Sequence, residues 1–232
     1  MINKSVVVFV LFLGLLTACN LTSPNQNIES SISPTVPPTP LPFPSSLPPT
    51  DSSTEVVLSS TTIAITLNQT VLDRASQVVQ TLKSQDFISL AGYVHPVNGV
   101  CFSPYAFVQE TDQVFSADEI GSIMADSKVY TWGSYAGTGE PINLSFPAYY
   151  SEFIYDVNFT NAPQVAMNHR LSAGNSIDNS AEFYPGSMFV EYYFPGFDPQ
   201  YDGMDWRSLR LVFSEYNGTW ALVNIIHDEW TP

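Results

Sequence analysis

The clearest hydrophobic rhythm in the chain runs through Val71, Leu72, Ala75, Val78, Val79 and Leu82. Steps of three and four place these side chains on one face of a helix, which the pattern predicts over residues 69–85 with Asn68 as its N-cap. Residues 86–93 read as a short continuation, stopped at His95-Pro96 because proline disfavours helix in the residue before it. Asn98-Gly99 reads as a turn into a strand through Phe102. Ser116-Ala117-Asp118-Glu119 has capping-box spacing and predicts a helix to about Ala125. Strand-like runs follow at 128–135, 157–159, 164–171 and 187–194, with a helix beginning at Pro147. Residues 206–214 and 219–227 alternate as strands joined at Asn217-Gly218, a pair suited to a two-residue hairpin turn. Helices first and long antiparallel strands last is an α+β order.

The register of that hairpin decides which polar groups meet. A two-residue turn pairs Phe213 with Leu222, Leu211 with Asn224, Ser208 with His227 and Arg207 with Asp228. A three-residue loop slips one position and sets Arg207 against His227. Asn-Gly favours the first, and a slip of one residue turns one strand's side chains to the opposite face. Either way Arg207 lies at the far end of the hairpin, beside His227 and Asp228.

The first 60 residues follow other rules. Lys4, the apolar run 6–16 and the block Leu16-Thr17-Ala18-Cys19 form an export signal too short to span a bilayer comfortably. The block resembles the lipobox of bacterial lipoproteins. The resemblance implies cleavage after residue 18, lipid on the thiol of Cys19, and a domain held to a membrane on the extracytoplasmic side of the cell envelope. Between Pro24 and Pro49 lie 9 of the chain's 18 prolines. Residues 19–60 therefore read as an extended Pro/Ser/Thr-rich linker that cannot bury a core. Residues 61–232 form the domain.

Composition narrows the partners. With 7 Lys+Arg against 22 Asp+Glu and a formal net charge of −15, the chain lacks the clustered bases that nucleic acid requires. Lipid on Cys19 would leave Cys101 as the one remaining thiol and no intrachain disulfide; Val100-Cys101-Phe102 reads as buried core. Calcium prefers oxygen-rich loops such as the one carrying Asp198, Asp202 and Asp205, but the spacing is not that of an EF-hand. His95, His169 and His227 are scattered, without the spacing of a zinc site. Neither a metal nor a cofactor is expected.

The element order also resembles the NTF2-like (cystatin-like) cone, in which a curved, mostly antiparallel sheet wraps a long N-terminal helix. The helix from Gln69, the His95-Pro96 turn and the closing hairpin carry the likeness. Three blocks resemble a family of bacterial exported lipoproteins: Tyr130-Thr131-Trp132-Gly133-Ser134-Tyr135, Phe194-Pro195-Gly196-Phe197-Asp198-Pro199, and the run from Gly203 to Phe213. That family implies export and anchoring but no particular activity. A cone would offer a pocket, for which Tyr93, His95, Glu191, Tyr193, Arg207, His227 and Asp228 are the candidates, with Tyr105 beside them. His227, Asp228 and Glu229 are consecutive, so on a strand they cannot act as one cluster. The leading expectation is a non-enzymatic binding or interaction module with a protein partner; the alternative is a small-molecule binder or enzyme using the cone.

Overall fold

The computed structural model describes residues 54–232, apart from 173 and 175, with side chains from Thr66 onward. The expected export signal, Cys19 and most of the expected linker lie outside the described residues. Helix α1 (Thr54–Ser84) leads into a short α2 (Phe87–Ala91), β1 (Val100–Ser103) and β2 (Gln113–Phe115). Next come α3 (Ala117–Ile120), β3 (Val129–Ser134), β4 (Pro141–Ser145) and α4 (Phe146–Tyr149). The chain ends with β5 (Gln164–Met167), α5 (Ser180–Phe183), β6 (Met188–Phe194), β7 (Arg207–Tyr216) and β8 (Thr219–Glu229). Six strands form one sheet in the order β2-β1-β8-β7-β6-β5, and β3 and β4 form a separate pair. All pairings are antiparallel except β1 with β8. The class is mixed α+β. No helix among the described residues is long and apolar enough to cross a membrane.

The stripe on α1 is buried: Val71, Ala75, Val78 and Leu82 are fully covered, and Val79 nearly so. They pack with Leu209, Leu211, Phe213, Leu222 and Ile225 from one face of the sheet. A column of buried rings belongs to the same core. Trp132 stacks on Tyr149 at 3.8 Å, Tyr149 on Phe153 at 5.2 Å, and Phe102 meets Phe146 edge-on at 5.4 Å. Such rings supply both buried area and a defined geometry. A second apolar cluster, Val108, Val212, Val223 and Ile226, lies on the sheet's opposite face.

Several local expectations change. Asn68 lies inside α1, so it is not an N-cap. The Ser116 capping box forms, with Ser116 and Glu119 each bonding the other's backbone N–H. Residues 157–159 do not form a strand; a single tight turn, Phe159–Asn161, takes their place. Strands β2 and β4 and helix α5 had no periodic signal, being only 3, 5 and 4 residues long.

The hairpin follows neither anticipated register throughout. Asn217 and Gly218 adopt positive φ of 50° and 76°, as a two-residue turn of this hand requires. Tyr216 then pairs with Thr219 and Phe213 with Leu222. There a bulge inserts Val223, and beyond it Leu211 pairs with Ile225, Leu209 with His227, Ser208 with Asp228, and Arg207 with Glu229. An extra residue on one strand bends that strand and resets which side chains oppose one another.

Candidate functional site

The bulge determines which polar groups share a face. His227 joins Leu209 and Leu211 on the helix-side face, and Arg207 and Glu229 continue that face to the rim. Glu191, Ser208, Arg210 and Asp228 occupy the opposite face, where Glu191 pairs with Arg210 and Ser208 with Asp228. The seven residues proposed from sequence to line one pocket therefore separate into three places.

At the rim, Arg207 Nε donates to Asp156 Oδ2 at 2.8 Å, and Arg207 Nη2 lies 3.2 Å from Glu229 Oε2. His227 Nε2 lies 3.6 Å from Asp156 Oδ1, and its Nδ1 is 3.4 Å from the Pro104 carbonyl oxygen. The edge of the ring packs at right angles to Phe153, with centroids 5.7 Å apart. Burial alone would raise the Asp156 carboxyl, but the His227 imidazole and the Arg207 guanidinium outweigh it and hold the group below its ordinary value. His227 is closed off from solvent. It braces Asp156 from inside, while Arg207 and Glu229 face outward.

On the opposite face lies a larger ionic network. Arg210 is fully buried; its Nη1 donates to Asp178 Oδ2 at 2.9 Å, and its Nη2 lies 3.5 Å from Glu191 Oε1. Arg170 Nη2 lies 2.9 Å from Asp228 Oδ2. Ser208 Oγ donates to Glu191 Oε1 at 2.6 Å, and the Leu171 N–H donates to the other Glu191 oxygen. Burial pushes the Asp228 carboxyl up despite Arg170 and Arg210. Burial also opposes ionisation of Asp178, but there Arg210 and the Ser180 hydrogen bonds outweigh it and lower the group. Each cation has a carboxylate, and the pairs tie Arg170 and Asp178 onto the sheet. A buried network of this kind fixes geometry more reliably than it adds stability. Tyr193 lies beside it, its ring 6.0 Å from Trp206.

Tyr93 and His95 occupy the third place, next to the hairpin turn. The Val97 and Asn98 N–H groups donate to His95 Nδ1 at 3.2 and 3.0 Å, and the ring meets Tyr216 at 5.0 Å. His95 shapes its turn. The Tyr105 hydroxyl accepts from the Ala136 N–H at 3.2 Å. Cys101 is buried and its thiol is pushed up to about 12, first by burial and then by the Asp112 charge. In the acidic loop, Asp205 Oδ2 accepts from the Phe197 and Asp198 N–H groups, and Asp198 accepts from Gln200. Among the described residues, no three His, Cys, Asp or Glu side chains gather as metal ligands do.

Sequence reasoning did not single out Asp156, Arg170, Asp178 or Arg210. Arg170 and Asp178 come from an irregular stretch without periodicity. Arg210 sits between leucines in a strand whose two faces are both covered, so it reads as a solvated alternation until the second cover is known.

The rim also bears an exposed groove of about 390 Å³ lined by Tyr201, Met204, Asp205, Arg207, Glu229 and Trp230. Tyr201, Met204 and Trp230 are each nearly half exposed, at 48, 49 and 45%.

No family model matches the chain, and no curated protein matches it. Two solved structures are similar to it at a distance. Aln2 from a Streptomyces species is 12% identical over 70% of this chain and 90% of that one, with a TM-score of 0.32. A Xanthomonas campestris protein described as a calcium/calmodulin dependent protein kinase II association domain is 13% identical over 68% and 84%, with a TM-score of 0.29. Similarity this low carries no argument about fold or activity.

Proposed function

We propose that the protein is a lipid-anchored binding module of the bacterial cell surface. In this reading Cys19 of the lipobox carries the lipid, residues 19–60 are the spacer, whose last residues from Thr54 already belong to α1, and an NTF2-like cone is the displayed domain. The rim groove is the surface that meets an extracytoplasmic protein partner. The observation that carries the reading is the contrast between the cone's interior and its rim. Trp132, Tyr149 and Phe153 form a stack buried in the core, while Tyr201, Met204 and Trp230 stand nearly half exposed around Arg207. Exposed aromatic and methionine side chains grouped beside an arginine have the composition of an interface centre. The alternative, a small-molecule site or enzyme within the cone, has less support, because its candidate residues lie in three separate places.

Two measurements test the reading. Labelled palmitate should enter the wild-type protein but not Cys19→Ala, which should leave the membrane fraction. A photo-crosslinking residue at position 204 of the anchored protein should trap one discrete partner, and Trp230→Ala should abolish that adduct. A wild-type chain without lipid, or a crosslink pattern unchanged by Trp230→Ala, would refute the corresponding half. Turnover of a substrate that was lost in His227→Ala would favour the enzyme instead.

A further inference from the structure

We propose that a second groove, beside the hairpin turn, binds a small carboxylate with a compact apolar body, and that Arg74 is the residue holding its charge. The groove encloses about 390 Å³ and is lined by Arg74, Val94, Pro96, Asn217, Thr219 and Ala221, among others. Arg74 differs from the arginines of the other face and the rim. Arg170, Arg207 and Arg210 approach carboxylates at 2.9, 2.8 and 2.9 Å. Arg74 has no hydrogen bond or ion pair among the described residues, and its Nε is buried without an acceptor. One face of the guanidinium is covered by the Tyr93 ring, at 5.2 Å from the centroid. That stacking fixes the plane of the fork, and with Nε occluded an acceptor would meet the two terminal nitrogens.

The guanidinium charge has no counter-charge among the described residues, and a carboxylate in the groove would supply one. The rest of the lining specifies the other end of the ligand. Val94, Pro96 and Ala221 offer apolar contact, and Asn217 and Thr219 place an amide and a hydroxyl at one edge. The net charge of −15 repels anions at long range. Ionic strength near physiological limits that repulsion to about 8 Å, so an anion already in the groove responds chiefly to Arg74. The groove is separate from the rim, and the inference does not rest on the reading given above.

The test is titration calorimetry on the full-length chain with benzoate, with benzamide as its neutral counterpart, and with a short peptide ending in a free phenylalanine carboxylate. Benzoate should saturate, benzamide should bind at least about tenfold more weakly, and Arg74→Gln should lose a similar factor, as expected for a charge-assisted hydrogen bond. Arg74→Lys keeps the charge but not the fork and should fall between; its melting temperature, measured alongside, separates lost binding from lost fold. If the peptide binds more tightly than benzoate, the source of the carboxylate is a chain terminus; if benzoate binds more tightly, it is a free small molecule. Equal binding of benzoate and benzamide, undiminished binding by a folded Arg74 variant, or no saturation with either carboxylate would overturn the proposal.

Discussion

Single residues in this protein owe their energetics to cover on both faces of the sheet. Asp112 shows it plainly. It is buried, accepts from Ser103 Oγ at 2.6 Å and from the Gln109 N–H at 3.0 Å through the same oxygen, and has its other oxygen unpaired. No cation pairs with it among the described residues, so burial raises its carboxyl above the ordinary 3.8 despite both hydrogen bonds. The folded state then binds the proton at a pH where the unfolded state does not. Stability from this group therefore increases as pH falls through the raised value, and the gain is complete below the unfolded value. Asp112→Asn can keep both accepted bonds through its amide oxygen and carries no charge. The variant should match or exceed wild type in stability at pH 7, and wild type should recover ground on it as pH falls from 7 to 4. Urea unfolding of both chains across that range is the measurement; a difference that does not vary with pH would contradict the assignment. The pairing of Ser116 with Glu119 was legible in the sequence because a capping box is local. The setting of Asp112 was not, because Ser103 reaches it from β1 and is itself bonded by Asn224 of β8, far along the chain.

Among the elements, the β7–β8 hairpin separates what short-range signals specify from what packing specifies. Asn217-Gly218 dictates the turn through positive φ, and the first pairs, as far as Phe213 with Leu222, follow from it. The bulge at Val223 does not. Its physical effect is to put Val223 and Asn224 in sequence against the second cover, Val223 with Val108 and Val212, and Asn224 bonding Ser103 Oγ at 3.1 Å. An alternation read from sequence has no means of anticipating an inserted residue whose reason is a layer to which Val108 and Tyr184 contribute from distant parts of the chain. Deleting Val223 tests the description. The pairs Phe213 with Leu222 and Val212 with Asn224 would become consecutive rungs, and every pair out to Arg207 with Glu229 would survive. The variant should fold with Leu209 still opposite His227, at a cost of about 1.5–3 kcal/mol for one buried valine and with the strand straightened. Cross-strand contacts by NMR would reveal the register, and His227 appearing opposite Ser208 would show that the bulge is not where the extra residue resides.

For the whole molecule, the α+β order and the hydrophobic stripe of the first helix were readable, since both rest on repeated signals along the chain. A shared pocket for Tyr93, His95, Glu191, Tyr193, Arg207, His227 and Asp228 was not a sound reading, since residues adjacent in sequence occupy opposite faces of a strand and a single bulge decides which. The same division assigns different work to different tryptophans. Trp132 is fully buried in the stack with Tyr149, and its Nε1 donates to the Leu144 carbonyl at 2.9 Å. Trp230 is 45% exposed at the rim. If the interior supplies stability and the rim supplies recognition, the two substitutions should fail in opposite ways. Trp132→Ala should cost about 3–5 kcal/mol, the range for removing a large buried ring, because its neighbours cannot close the cavity. Trp230→Ala should stay within about 0.5 kcal/mol of wild type, as exposed positions do, and still lose the crosslinked partner. Denaturant unfolding and crosslinking on the same two variants check both halves. A Trp230→Ala chain that unfolded like Trp132→Ala would make the rim part of the core, and its exposed aromatic side chains would then need no partner to account for them.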